Sequence, residues 1–300
     1  MQRGISTLLA TSAVSALALV ACRSEQSGAR SDSAADSAAS TTASAAATPN
    51  VVTVHATNYK FTAPSEVPPG WTTIRLVNDG PGFHHAQLVR LDSGKTFADL
   101  EQALRRPGPP PRWIVPAGGP NAPDPKSESN ATVELQPGNY ALLCFVDIPE
   151  GFPHVTKGMS HALTVKAPSG ATPVSRTSPS APEADVVMTL RDYSFQLSKS
   201  LTAGRHTFEV HTDAPQPHEV ELIRLEPGKT AEDMLGWFEK MQGPPPGHGM
   251  GGVSSLAPGG TAYFTADLAP GNYMLICFAP DAKDGKPHFV HGMVQTIQVT

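Results

Sequence analysis

Apolar residues fall in short, strand-like runs along most of the chain. Val51–His55 and Thr72–Val77 alternate apolar and polar side chains, and Thr207–Val210 does so more weakly. Ala86–Leu91 and Val220–Leu225 carry Leu together with Val or Ile. Tyr140–Phe145 and Tyr273–Phe278 are apolar almost throughout, the pattern of a strand buried on both faces. Leu163–Val165 and Val294–Val299 close the set. Two helices interrupt it. Thr96 and Thr230 stand as N-caps with Asp99 and Asp233 three residues on, a capping-box spacing. Gly108-Pro109-Pro110-Pro111 and Gly243-Pro244-Pro245-Pro246 stop them, because proline cannot continue a helix.

The pattern is written twice. Tyr59-Lys60-Phe61 recurs as Tyr193-Ser194-Phe195, and Gly94-Lys95-Thr96 as Gly228-Lys229-Thr230. His84-His85-Ala86-Gln87-Leu88 recurs as His218-Glu219-Val220-Glu221-Leu222. Pro137-Gly138-Asn139-Tyr140 recurs as Pro270-Gly271-Asn272-Tyr273. Pro153-His154 and Gly158-Met159 recur as Pro287-His288 and Gly292-Met293. A shared order of motifs over this length marks an internal duplication. The expected organisation is a domain over 51–166 and a second over 186–300. Residues 167–185, rich in Pro, Ser and Thr, join them. Roughly seven short strands per copy with frequent turn signals predict an all-β fold. It comprises two tandem Greek-key β-sandwiches, each with one inserted helix.

Composition narrows the function. The formal charge is −5 and no basic strip is present, which excludes a nucleic-acid partner. Pro 30 and Gly 26 among 300 residues argue against a helical bundle. Arg3 precedes an apolar stretch from Ile5 to Val20, the layout of a secretory signal too short to span a membrane comfortably. Leu19-Val20-Ala21-Cys22 resembles a bacterial lipobox, which implies lipidation of Cys22 and a membrane anchor outside the cytoplasm. Arg23 follows that Cys where Asp would favour inner-membrane retention, so the outer membrane or periplasm is preferred. Residues 23–50 contain no Phe, Leu, Ile, Trp or Tyr and read as a disordered tether.

Cys144 and Cys277 then stand one to a copy. A bridge between them would require two buried strand ends to meet. Each is followed by His and Met, as Cys144, His154, Met159 and as Cys277, His288, Met293, and preceded by His84 or His218. A thiolate, two imidazoles and a thioether form a soft donor set suited to copper that changes oxidation state. His85 competes with His84 for that role, and the repeat alignment selects His84. An inert or reactive buried thiol is the alternative use of each Cys.

On these residues the chain resembles a tandem pair of cupredoxins, the blue copper domains of plastocyanin, azurin and copper nitrite reductase. Gly138-Asn139-Tyr140-Ala141-Leu142-Leu143-Cys144 and Gly271-Asn272-Tyr273-Met274-Leu275-Ile276-Cys277 match the family's Gly-x-Tyr-x-x-x-Cys strand. His154-Val155-Thr156-Lys157-Gly158-Met159 is similar to the His-to-Met turn of the nitrite reductase blue site. The resemblance implies one type 1 copper site at His84, Cys144, His154 and Met159 and a second at His218, Cys277, His288 and Met293. It implies electron transfer with a redox partner protein. A copper carrier and a copper-free binding module are the competing readings. The family's Asn after the first His is replaced by His85 and Glu219.

An enzyme is not expected. Cys144 is flanked by Leu143 and Phe145, and Cys277 by Ile276 and Phe278, so no His beside Cys leads to a second copper. No His-x-His pair, Ser-His-Asp signature or phosphate-cradling glycine loop is present. His55, His206 and His211 read as surface or hydrogen-bonded residues. His161 and His291 flank the methionines and could tune access. Gly247-His248-Gly249-Met250 reads as a flexible glycine loop. Phe145, Phe152, Phe278 and Phe289 divide between core and an apolar docking rim.

Overall fold

The computed structural model describes residues 47–92, 94–106, 108–148, 151–166 and 179–300. Cys22 and most of the 23–50 and 167–185 segments lie outside them. The first half runs β1 (Asn50–Thr57), β2 (Lys60–Thr62), β3 (Glu66–Val67), β4 (Gly70–Asn78), β5 (Gln87–Leu91), α1 (Phe97–Leu104), β6 (Ile114–Pro116), β7 (Glu128–Leu135), β8 (Gly138–Leu143) and β9 (Ser160–Val165). The second runs β10 (Val186–Arg191), β11 (Ser194–Leu197), β12 (Gly204–Thr212), β13 (His218–Leu225), α2 (Ala231–Lys240), β14 (Gly247–Leu256), β15 (Thr261–Leu268), β16 (Gly271–Ile276) and β17 (Val294–Val299). The fold is all-β with one α-helix in each half, as the pattern predicts. Both helices carry the full capping box, with Thr96 and Thr230 accepting from the backbone of Asp99 and Asp233.

Each half contributes a smaller sheet of its own. These are β3-β9-β8-β5-β6 in the first and β14-β13-β16-β17 in the second. The remaining strands merge into one sheet across both halves, β11-β10-β12-β15-β7-β4-β1-β2. Within it β1 lies parallel to β4 and β10 parallel to β12, which requires crossovers rather than hairpins. Alternation along β1 and β4 buries Val52, Val54, Ile74 and Leu76 against Leu88, Leu142 and Leu163 of the opposite sheet. The same core continues through Met188, Phe208, Val220 and Phe264 of the second half. The helices cover the outer faces of these two smaller sheets. Leu100 packs on Val89, Leu91, Ala141 and Leu143, and Met234 on Ile223, Leu225, Met274 and Ile276.

The halves meet along a continuous seam. β15 pairs with β7 at Tyr263 and Thr132, and Asn130 exchanges two side-chain hydrogen bonds with Thr265, at 2.8 and 3.0 Å. Residues 117–124 pair antiparallel with β14, through Ala117 with Leu256, Pro120 with Val253 and Pro123 with Met250. This corrects the expectation of a flexible loop at Gly247–Met250, because that segment begins β14. The glycines belong to a strand that two backbones approach closely. A Cβ on Gly252 would lie 2.2 Å from the Val220 carbonyl oxygen, and one on Gly119 the same distance from that of Ala86. Asp124 and Glu226 hold the exposed His248 imidazole between them, each at 2.6 Å.

Candidate metal centres

Strand register assembles each donor set. β5 and β8 are antiparallel with Gln87 opposite Leu143, so His84 before β5 and Cys144 after β8 emerge at the same end. β8 then pairs with β9 with Leu143 opposite Ser160, which returns Met159 to Cys144. The Cys144 N–H donates to the Met159 carbonyl at 3.2 Å. Between them a short 3-10 turn, His154–Lys157, presents His154. Pro153 starts this turn, and Gly158 ends it at φ +89°, a left-handed position suited to glycine. The second half repeats the construction: Glu221 lies opposite Ile276 and Ile276 opposite Val294, and Cys277 N–H donates to the Met293 carbonyl at 3.2 Å. Tyr140 and Tyr273 secure the strands that carry the cysteines, their hydroxyls donating to the carbonyls of Gln136 and Ala269.

The donor atoms of each half lie close enough together to hold a metal ion. In the first half Nδ1 of His84 lies 4.0 Å from Sγ of Cys144, Nδ1 of His154 lies 3.4 Å from it, and the two nitrogens are 3.1 Å apart. The point equidistant from these three atoms lies about 2.1 Å from each, the length of a bond from a first-row metal ion to nitrogen or sulfur. In the second half Sγ of Cys277 lies 4.0 Å from Nδ1 of His218 and 3.4 Å from Nδ1 of His288. All six donor residues are buried, as are Met159 and Met293. A soft donor set of this shape fits copper. His84 is the histidine whose ring nitrogen groups with Cys144 and His154, whereas the His85 ring bonds Asn121 and the Phe145 N–H.

His85 and Glu219 directly follow the first histidine of each set. Phe145 N–H donates to Nε2 of His85 at 2.8 Å, and Phe278 N–H donates to Oε1 of Glu219 at 3.0 Å. Each side chain therefore holds the residue that follows the cysteine. Glu219 N–H in turn donates to Sγ of Cys277 at 3.4 Å.

Further partners lie outside the predicted set. Nε2 of His84 donates to Oδ1 of Asn58 at 2.8 Å, and Nε2 of His218 to Oδ1 of Asp192 at 2.9 Å. Such an acceptor fixes the tautomer and leaves the Nδ1 lone pair facing the centre. Tyr59 meets His154 edge-on at 4.9 Å, and Tyr193 meets His288 at 5.7 Å. The repeat of Tyr-x-Phe in the sequence marked this turn without assigning it a role. The second centre has an additional network. Tyr193 donates its hydroxyl proton to Asp281 at 2.6 Å, and Gln216 bridges Asp281 and Asp192. Asp281 also lies 3.7 Å from Nε2 of His288, which has no hydrogen-bond partner. His291 joins Asp284 at 3.2 Å.

Burial sets the protonation of the metal-free centres. It lowers His84 to about 4, helped by His154 and His85, and lowers His288 to about 4, helped by His218. Burial also lowers His85 to about 4, and His154 and His218 fall in the same direction. Cys144 is pushed up to about 12 by burial, and Cys277 is raised by burial and by Glu219. Glu219 is raised to about 7 and Glu221 well above its ordinary value, both chiefly by burial. The imidazoles and carboxyls act in opposite senses. Between about pH 4 and 6.5 the unfolded chain binds more protons at the histidines, so they make stability rise with pH. The two buried carboxyls contribute stability that is full below their unfolded pKa and is lost as pH rises through the folded one. The melting temperature of the metal-free protein is therefore expected to peak near pH 6–7. Copper should steepen the acid limb, because it binds only deprotonated imidazoles and thiolate, so the stabilisation it adds is lost as pH falls. Melting curves with and without copper from pH 4 to 9 check both statements.

The remaining histidines have local partners. His55 pairs with Asp79 at 2.7 Å, His206 with Asp185 at 2.6 Å, and His211 bonds the Thr261 hydroxyl at 3.1 Å. Phe145 and Phe152 are exposed, at 42% and 60%, whereas Phe278 and Phe289 pack beside α2.

Fold and site together define an all-β protein with two buried Cys–His–His centres, each with a methionine held against its cysteine. Comparison with protein-family models and with curated proteins finds no match. Among solved structures the chain is similar to auracyanin B at 20% identity, over 40% of this chain and 93% of that one, with a TM-score of 0.29. It is similar to reduced auracyanin from the photosynthetic bacterium Roseiflexus castenholzii at 20% identity, over 41% and 99%, with a TM-score of 0.28. A multicopper oxidase aligns at 11% identity over 83% of this chain and 88% of its own, with a TM-score of 0.23.

Proposed function

We propose that the protein is an electron-transfer protein holding type 1 copper at His84, Cys144, His154 and Met159 and at His218, Cys277, His288 and Met293. The observation that carries this reading is the triangle of sulfur and two Nδ1 atoms around a point at metal-bonding distance. Bound copper would supply a one-electron couple. The residues supply its setting. Asn58 and Asp192 orient the first imidazoles, and His85 and Glu219 hold the strand ends that carry the thiols. Buried, pre-oriented donors need little rearrangement when charge changes, which suits repeated electron transfer.

The protein acts as a carrier rather than an enzyme. Leu143, Phe145, Ile276 and Phe278 beside the cysteines offer no ligand for a second, open metal. A redox partner protein would meet the first centre at the apolar rim of Phe145 and Phe152. Lipidation at Cys22 would tether the protein to a membrane outside the cytoplasm, with residues 23–50 as spacer. Voltammetry of the copper-loaded protein tests the function. A reversible one-electron wave with slow copper exchange is expected. Rapid exchange with preference for Cu(I) and no reversible wave would instead mark a copper buffer.

A further inference from the structure

The two centres are joined through the seam between the halves. Starting at Cys144, the next residue's N–H, that of Phe145, donates to Nε2 of His85 at 2.8 Å. Nε2 is therefore the acceptor, and the proton of the neutral ring sits on Nδ1. From there it donates to Oδ1 of Asn121 at 3.3 Å. The orientation of the Asn121 amide agrees, because the same oxygen accepts from Ala122 N–H at 3.1 Å. The other end of the amide, Nδ2, donates across the seam to the Val220 carbonyl at 3.2 Å. Val220 follows Glu219, whose N–H donates to Sγ of Cys277 at 3.4 Å. Four hydrogen bonds and intervening covalent bonds thus connect one cysteine to the other.

Beyond the half-exposed Phe145 the chain runs through buried residues. His85, Asn121, Val220 and Glu219 are each at most 8% exposed. A buried polar chain costs desolvation that apolar packing would avoid, and it persists here fully connected. It is also particular to this side of the pseudo-symmetric seam. In the repeat alignment Ser254 or Ser255 stands where Asn121 stands, and Ser254 turns its hydroxyl to Gly119 and Pro120 instead.

We propose that this chain is an internal electron route, with His85 and Asn121 linking the centre of the first half to that of the second. The inference rests on the reading that both halves hold copper. With copper held at both donor sets, one electron would pass from the reduced centre to the oxidised one, so that the first is oxidised as the second is reduced. No bond breaks, no proton is transferred and no external oxidant is consumed in the step.

The test begins with the full folded chain, loaded with Cu(II) and assayed for metal. Two coppers per chain are expected, and fewer would overturn both the route and the two-centre reading. Pulse radiolysis then delivers at most one electron per chain, and the visible bands are followed in time. A first-order redistribution phase independent of protein concentration is expected. It should slow severalfold in Asn121→Leu at unchanged copper content and reduction potentials. Absence of that phase in the two-copper parent, or its survival at full rate in the variant, would overturn the route alone. Should Asn121→Leu fail to fold, nitrogen NMR of the metal-free parent decides. A proton on Nδ1 of His85 and a slowly exchanging Asn121 side-chain amide support the chain, and a proton on Nε2 breaks it.

Discussion

Replacing either cysteine with serine, as Cys144→Ser or Cys277→Ser, is expected to remove the visible thiolate-to-copper band of its own half and leave the other intact. The double variant should lose the band entirely. The physical reason is that a serine oxygen is a harder donor than sulfur and remains protonated in a buried site. Changes outside the first sphere of a metal site already cost about 10–100-fold in affinity, so loss of the thiolate should cost more. Stability should report the same event. A ligand present at a hundred times its dissociation constant stabilises the folded form by about 2.7 kcal/mol, and each serine variant should lose that increment at its own centre. Absorption titrations and copper-dependent melting curves read both effects. An unchanged band in the double variant would remove the cysteines from the site.

Gly252→Ala is expected to be the most damaging small substitution outside the donor sets. Gly252 lies in β14 at φ +135°, where an alanine is strained. Its Cβ would press to 2.2 Å from the Val220 carbonyl oxygen. Backbone strain alone is worth about 1–3 kcal/mol, and the forced separation of two paired strands adds to it. A loss of about 3 kcal/mol or more is expected in denaturant melts. Gly259→Ala is the control, since it shares a positive φ of 74° but meets nothing within 4 Å. Equal losses in the two variants would mean that conformational strain, and not close approach at the seam, governs Gly252.

The two His–Cys–His groups were legible because duplication displayed them twice in the same order. Spacing told which residues belong together, and strand register explains why: His84 and Cys144 leave adjacent strands at one end. The helix starts were equally plain, since a capping box is a local signal. What remained hidden depends on distant pairing. β7 and β15 carry modest patterns, and neither indicates that the two halves share a sheet. The glycines of β14 read as a loop because composition does not reveal that a neighbouring backbone needs their missing side chains. Asn58 and Asp192 were not singled out, as one polar residue beside a turn tyrosine has many uses until a histidine ring is found against it. His85 looked like a spare ligand, and Glu219 like a departure from the family. Both turn out to hold the N–H after the cysteine.

X-ray absorption at the copper edge of the fully loaded chain addresses the donor geometry most directly. One short sulfur and two imidazole nitrogens around each copper are expected, with the sulfur signal absent after Cys144→Ser and Cys277→Ser are combined. A first sphere of nitrogen and oxygen alone in the parent would contradict convergence of Cys144 and Cys277 with their histidines on one ion.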